Sequence, residues 1–179
     1  MLPFAYLAGG VALARLWSSG STAKRAAAGV LCAWLLVAAA GIYPDHLSYF
    51  NEFACVAEPG QIGLDGGSRC GTLWLDDSNV DWGQGLKQLK AWLAVHGKGR
   101  TVRLGYFGSF APEAYGFPME KLNPLQLAEP PSPGHYAVSA HTVAYVSGLI
   151  EKYHEGSDWM RTTQPTAIVG HALYIYDIK

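Results

Sequence analysis

From Ala26 to Tyr43 the chain reads AAAGVLCAWLLVAAAGIY, 18 residues without a charge. No other stretch constrains the fold as strongly. Such a run must leave water, either inside a core or inside a bilayer, and its length is at the short end of what crosses a hydrocarbon core. Trp34 falls mid-run, and Tyr43 falls where an interfacial aromatic sits. A second apolar run, Met1–Trp17, is interrupted near its end by Arg15, whose long side chain can snorkel to a membrane surface. A secretory signal peptide fits poorly, because the basic residues follow the first apolar run instead of preceding it. A buried pair of core helices would carry more polar interruptions. Residues 1–43 are therefore expected to form two transmembrane helices joined by a short basic connection.

Charge orients them. Only 15% of the chain is charged, against about 25% in ordinary soluble domains. The deficit is concentrated in residues 1–43, where Arg15, Lys24 and Arg25 are the only charged side chains. These flank the connection Ser18–Arg25, whereas the segment after Tyr43 carries Asp45, Glu52 and Glu58 and no basic residue before Arg69. The positive-inside rule puts the connection in the cytoplasm and everything after Tyr43 outside it. With a net charge of -1 and no basic stripe, the chain has no electrostatic footprint for nucleic acid.

Residues 44–71 read as a juxtamembrane segment followed by a glycine-rich loop. Pro44 ends the apolar helix, and Leu47, Tyr49, Phe50 and Phe53 give a mixed apolar face. That face suits a short helix near the lipid surface and equally suits packing into the domain that follows. Residues 57–71 hold five glycines and little periodicity, the composition of a loop. Cys32, inside the apolar run, reads as a small hydrophobe. Cys55 and Cys70 bracket the loop. Outside the cytoplasm a disulfide between them is permitted and would stabilise by about 3 kcal/mol in the chain-entropy account; two unpaired thiols fit the sequence as well.

Residues 72–179 alternate. Leu73–Asp76 is a first short strand. Trp82, Leu86, Leu89 and Leu93 then recur at helical spacing, with Ser78, Asn79 or Asp81 as N-cap and Gly97 at the C-terminal end. Thr101–Phe107 is a second strand, and Pro112 starts a helical turn. Asn123–Gly134, with four prolines, reads as an irregular loop. His135–Ser139 is a third strand, Thr142–Tyr153 a helix interrupted by Gly148, and Ser157–Thr163 a helix capped by Ser157. Thr166–Val169 and Ala172–Ile178 close the chain as a hairpin or one bent strand. This alternation predicts a three-layer α/β domain with a small, largely parallel sheet. Right-handed crossovers would bring three polar turns to one sheet edge: Asp76–Asn79, Tyr106–Ser109 and Ser139–His141.

The turn before the first long helix is the densest polar cluster. Asp76, Asp77, Ser78, Asn79, Asp81, Trp82 and Gln84 pack carboxylates, amides, a hydroxyl and an indole into nine residues. Helix capping and the helix dipole account for one or two of them. The remainder suits binding of sugar hydroxyls or a cation. Together with Tyr106, Ser109 and His141 they form the candidate ligand site. Asp77, Asn79 and Asp81 share the alternation of a calcium loop but lack its glycine and distal glutamate; a divalent cation is compatible, and no metal or other cofactor is assigned. Adjacent Asp76 and Asp77 point to opposite faces of a strand and make a poor acid/base pair. No catalytic residue is assigned: the six histidines show no paired-ligand spacing, Ser109 lacks a nucleophile-elbow context, and no dinucleotide or phosphate loop is present.

Tyr43-Pro44-Asp45-His46-Leu47-Ser48-Tyr49-Phe50-Asn51-Glu52, followed by Asp77-Ser78-Asn79-Val80-Asp81-Trp82-Gly83-Gln84, resembles the C-terminal region of bacterial GT-C membrane glycosyltransferases, the dolichyl-phosphate-mannose-protein-mannosyltransferase-like proteins. Leu104–Gly108 and Ile168–Tyr176 resemble later blocks of that region, and Leu2-Pro3-Phe4 the opening of its last helices. The resemblance implies an integral protein of the bacterial cytoplasmic membrane, with its C-terminal domain outside. It also implies transfer of a sugar from a polyprenyl-phosphate donor to a saccharide or protein acceptor. The acidic catalytic loop that the resemblance implies has no counterpart in this sequence. The expectation is a C-terminal portion serving recognition or support and inactive alone. A non-enzymatic, membrane-anchored module that binds saccharide or another envelope component is the alternative expectation. A soluble hydrolase would need a nucleophile–base pair that the sequence lacks.

Overall fold

A computed structural model describes residues 2–72, 75, 80 and 82–179. Two helices open the chain, α1 (Leu2–Ser18) and α2 (Thr22–Gly41), and they pack against each other. Only α2, among the described residues, is long and apolar enough to cross a membrane. The expectation of two spanning helices is thereby corrected to one candidate. The reason is length: the 17 residues of α1 rise about 26 Å, against a hydrocarbon core of about 30 Å, and the last turn already carries Arg15.

Short 3-10 turns at His46–Ser48, Glu52–Cys55 and Pro59–Gln61 follow, then the short helix α3 (Ser68–Gly71). Cys55 and Cys70 are joined by a disulfide, which closes this segment on itself. The strand expected at Leu73–Asp76 lies outside the described residues, apart from Leu75, whose N–H donates to Gly71 O at 3.0 Å.

The α4 helix spans Gly85–His96 and carries Leu86, Leu89 and Leu93 of the expected apolar stripe, whereas Trp82 lies in the turn before it and is exposed. Its N-cap is Gln84, with no side-chain capping bond, so the helix begins beyond the residues expected to cap it; Ser78, Asn79 and Asp81 lie outside the described residues. Gly97 keeps a right-handed conformation, and the chain reverses through Lys98 and Gly99, both with positive φ. The sheet comprises β1 (Val102–Gly105), β2 (Met119–Lys121), β3 (Gly134–Ser139), β4 (Ala167–Val169) and β5 (Leu173–Ile178), in the order β2-β1-β3-β5-β4. β1 pairs parallel with β2 and β3, while β5 pairs antiparallel with β3 and β4. The sheet is therefore mixed, its longest pairing antiparallel, and not largely parallel. A tight turn at Gly170-His171, closed by Ala172 N–H to Val169 O at 3.3 Å, joins β4 to β5. Positive φ at both central residues marks the hairpin turn that matches strand twist, and strands joined this tightly can only be antiparallel.

Three further elements depart from expectation. The proline-rich stretch holds α5 (Pro124–Leu127), started by a capping box between Asn123 and Gln126. α6 (Ala140–Tyr153) runs unbroken through Gly148, because that glycine is exposed and packs against nothing. α7 (Trp159–Thr162) has Asp158, not Ser157, at its N-cap, and the Asp158 carboxylate accepts a bond from Ser147 Oγ at 2.6 Å.

β3 is buried along almost its whole length. Its alternate residues feed two clusters. Ala137 joins Val102, Leu104, Leu173 and Ile175 beneath Leu86 and Leu89 of α4. Tyr136 and Val138 join Tyr176 beneath Leu127, Val146, Trp159 and Met160, carried by α5, α6 and α7.

Candidate functional site

Among the described residues, polar and aromatic side chains meet in several places, of which two adjoin an exposed surface or a cleft. The first is the C-terminal end of β1 and β3, where the sequence puts its ligand edge. Ser139, N-cap of α6, accepts the Thr142 N–H at 3.3 Å and the Phe107 N–H at 3.2 Å. One buried hydroxyl thus ties the end of β1 to the start of α6. As a result Phe107 and His141 meet at 3.9 Å between ring centroids. Trp82 approaches Phe107 at 6.0 Å, and Tyr145 stacks on His141 at 6.2 Å, with 14° between planes. Trp82, Tyr145 and the neighbouring Phe110 remain exposed.

Two glycines permit this assembly. The hydroxyl of Tyr106 lies between Gly83 and Gly108, where a Cβ on either would come within 2.1 Å of it; Gly83 also has φ +105°. Tyr106 therefore packs against Gly83 and Gly108 and keeps its hydroxyl buried. The Gln84 amide is spent locally: Oε1 accepts the Trp82 N–H at 2.9 Å and Nε2 donates to Val80 O at 3.3 Å. Ser109 sits exposed on the next turn. Of the residues expected to form the site, Trp82 and His141 thus share one aromatic surface with Phe107. Tyr106 and Gln84 serve the scaffold beneath it. Asp76, Asp77, Ser78, Asn79 and Asp81 lie outside the described residues.

The second place is one that the sequence reading missed. A cleft of about 710 Å³ opens between the disulfide-closed segment and α6, α7 and β4, with Asp65, Arg69, Thr72, Arg161, His171 and Tyr174 among its lining residues. At one end His171 lies between two carboxylates. Its Nδ1 is 2.9 Å from Asp45 Oδ2, and its Nε2 is 3.2 Å from Asp65 Oδ2. Gln88 Nε2 donates to the other Asp45 oxygen at 2.7 Å, and Arg69 Nε stands 3.7 Å from Asp65. Both Asp45 and Asp65 are largely buried.

With each nitrogen facing a carboxylate, His171 has no ring atom left for a ligand. It ties three distant segments together: the chain just after α2, the disulfide loop, and the β4–β5 turn. A φ of +55°, uncommon outside glycine, directs it there. Gly170 beside it also has a positive φ, +60°, where a side chain is strained, and a Cβ there would displace the Gln88 amide oxygen, 1.9 Å away. The only local signal was Gly-His at a hairpin turn; Asp45 and Asp65 gave none. Among the described residues, no group of three or more His, Cys, Asp and Glu is arranged to hold a metal ion. Compared with protein-family models, with curated proteins and with solved structures, the chain has no match.

Proposed function

We propose that this chain is an integral protein of the bacterial cytoplasmic membrane whose extracytoplasmic α/β domain recognises a saccharide. In this reading it acts as the recognition or supporting part of a glycosyltransferase that uses a polyprenyl-phosphate-linked sugar. The single observation behind the reading is the exposed aromatic surface at the carboxyl ends of β1 and β3. Ligands in α/β folds bind at such edges. The electron-rich faces of Trp82, Phe107 and Tyr145 suit the C–H faces of a sugar ring. The motif resemblance supports the class of ligand, and Arg15, Lys24 and Arg25 ahead of α2 support the orientation. We read the domain itself as three layers, with α4 on one face of the sheet and α5, α6 and α7 on the other.

Titration of the full chain in detergent with an undecaprenyl-phosphate-linked hexose and with free oligosaccharides tests the proposal. Trp82→Ala and Tyr145→Ala should each weaken binding by about tenfold, the loss of roughly one aromatic contact, with unchanged thermal unfolding. Absence of binding to every saccharide, or binding by both variants as tight as that of the unsubstituted chain, would refute it. Binding of free oligosaccharide without the lipid-linked sugar would favour a non-enzymatic anchored module, since the aromatic surface needs no reacting group.

A further inference from the structure

Residues 46–71 present an apolar surface that the α/β domain does not cover. Phe53 is 83% exposed, Leu64 73% and Val56 67%, and Leu47 and Ile62 of the same segment are exposed too. The other side of the same segment is engaged by the domain. Ser48 Oγ donates to Val80 O at 2.6 Å. Phe50 packs on Val80, Ala140 and Ala172, and just past the segment Thr72 Oγ1 meets the Tyr174 hydroxyl at 2.8 Å. A small disulfide-closed unit with one face spent on the domain and an apolar remainder needs a second apolar partner.

Its position relative to α2 identifies that partner. Trp34 Nε1 donates to Glu52 Oε1 at 2.6 Å. The Leu64 backbone closes on the helix end, where a Cβ on Gly41 would lie 2.2 Å from Leu64 O, and Ala38 and Ile42 are buried. The segment therefore runs beside the last two turns of α2, from Trp34 to Gly41, a rise of about 10 Å. The 20 residues of α2 extend about 30 Å, the thickness of the hydrocarbon core, with no length to spare. If α2 crosses the bilayer, its last two turns lie at the depth of the nearer leaflet, and so does whatever is pinned beside them. Interfacial elements insert about 5–10 Å into the headgroup–acyl boundary, the same depth.

We infer that the disulfide-closed segment 46–71 is an interfacial anchor embedded in the leaflet on the domain's side, with Phe53, Val56 and Leu64 in contact with acyl chains. Through the Asp45–His171–Asp65 tie it holds the α/β domain at a set orientation on the membrane. The inference rests on α2 as a membrane helix, and the test separates the two. The full chain carrying Cys32→Ser is reconstituted in phosphatidylcholine–phosphatidylglycerol vesicles. Single nitroxide-labelled cysteines replace Phe53, Val56 or Leu64, with Leu36 on α2 and Val95 on α4 as references, both exposed. Peptide mapping without reductant verifies the Cys55–Cys70 bond in each variant.

Collision with oxygen, which partitions into lipid, is compared with collision with a water-soluble nickel chelate. Positions 53, 56 and 64 should follow Leu36, with an oxygen-to-nickel ratio several-fold above that at Val95. If Leu36 is lipid-like but the three positions match Val95, the anchor is refuted while the span stands. If Leu36 also matches Val95, the membrane reading fails and the anchor with it. Loss of access to both reagents together with spin–spin broadening would show a second copy of the chain covering the surface, and would equally overturn the inference.

Discussion

At the scale of single residues, His171 carries more of the structure than its composition suggests. Its two ring nitrogens hold Asp45 and Asp65, both largely buried. Replacing it with alanine leaves two desolvated carboxylates facing a void. His171→Ala should lower the unfolding free energy by about 2–3 kcal/mol, and His171→Asn, which tolerates positive φ, by less. Chemical denaturation in detergent reads both; an unchanged midpoint for the alanine variant would show that the tie is dispensable. Tyr176 gives a pH dependence. Its buried hydroxyl donates to Met160 O at 2.9 Å. Burial, then the neighbouring Tyr174 and Asp158, raise its pKa above the ordinary value of 10.0. Burial likewise raises Tyr174, opposed in part by its bond to Thr72. With folded values raised, the native state keeps protons that the unfolded chain releases. The stabilisation is complete below about pH 10 and is lost as pH climbs from there through the folded-state values. Tyr176→Phe should make that alkaline decline shallower by about one proton and cost about 1 kcal/mol at neutral pH. A decline of unchanged steepness would argue against a retained proton on Tyr176.

At the scale of elements, the disulfide and one cap do the most. Cys55 and Cys70 are 15 residues apart. The paired Cys55→Ser and Cys70→Ser change should destabilise the chain by about 3 kcal/mol through the freedom it restores to the unfolded loop, read as a shift in denaturation midpoint under non-reducing conditions. Ser139→Ala removes a cap on α6 and the acceptor for the Phe107 N–H. It should cost about 2 kcal/mol and alter the near-ultraviolet signal of the aromatic surface. The same elements show what was legible beforehand. Leu86, Leu89 and Leu93 announced α4, and Tyr136-Ala137-Val138 announced a strand but not its central place in the sheet, because burial on one face or both imposes a local period. α5 hid behind the prolines, although Asn123, Pro124 and Gln126 already spell a capping box. β2 is a short, mostly exposed strand of three residues, too brief for any period to register.

At the scale of the whole molecule, the α/β domain should exchange its amide hydrogens in order of depth. The amides of β3 and β5, central and paired on both sides, should exchange only on global unfolding. Those of the edge strands β2 and β4 should exchange through local opening, orders of magnitude faster. Uniform protection across the sheet would contradict this. The features legible in the sequence alone are local: a charge-free run that must leave water, and apolar periods of 3.6 and 2. Each is a property of neighbouring residues, so no partner need be known. The completed fold alone shows the antiparallel half of the sheet, Phe107 as the ring between Trp82 and His141, and the His171 tie that reaches 126 residues back to Asp45 and 106 back to Asp65. Contacts across such distances are selected by the packing of the completed core, and they leave no spacing in the chain from which to read them.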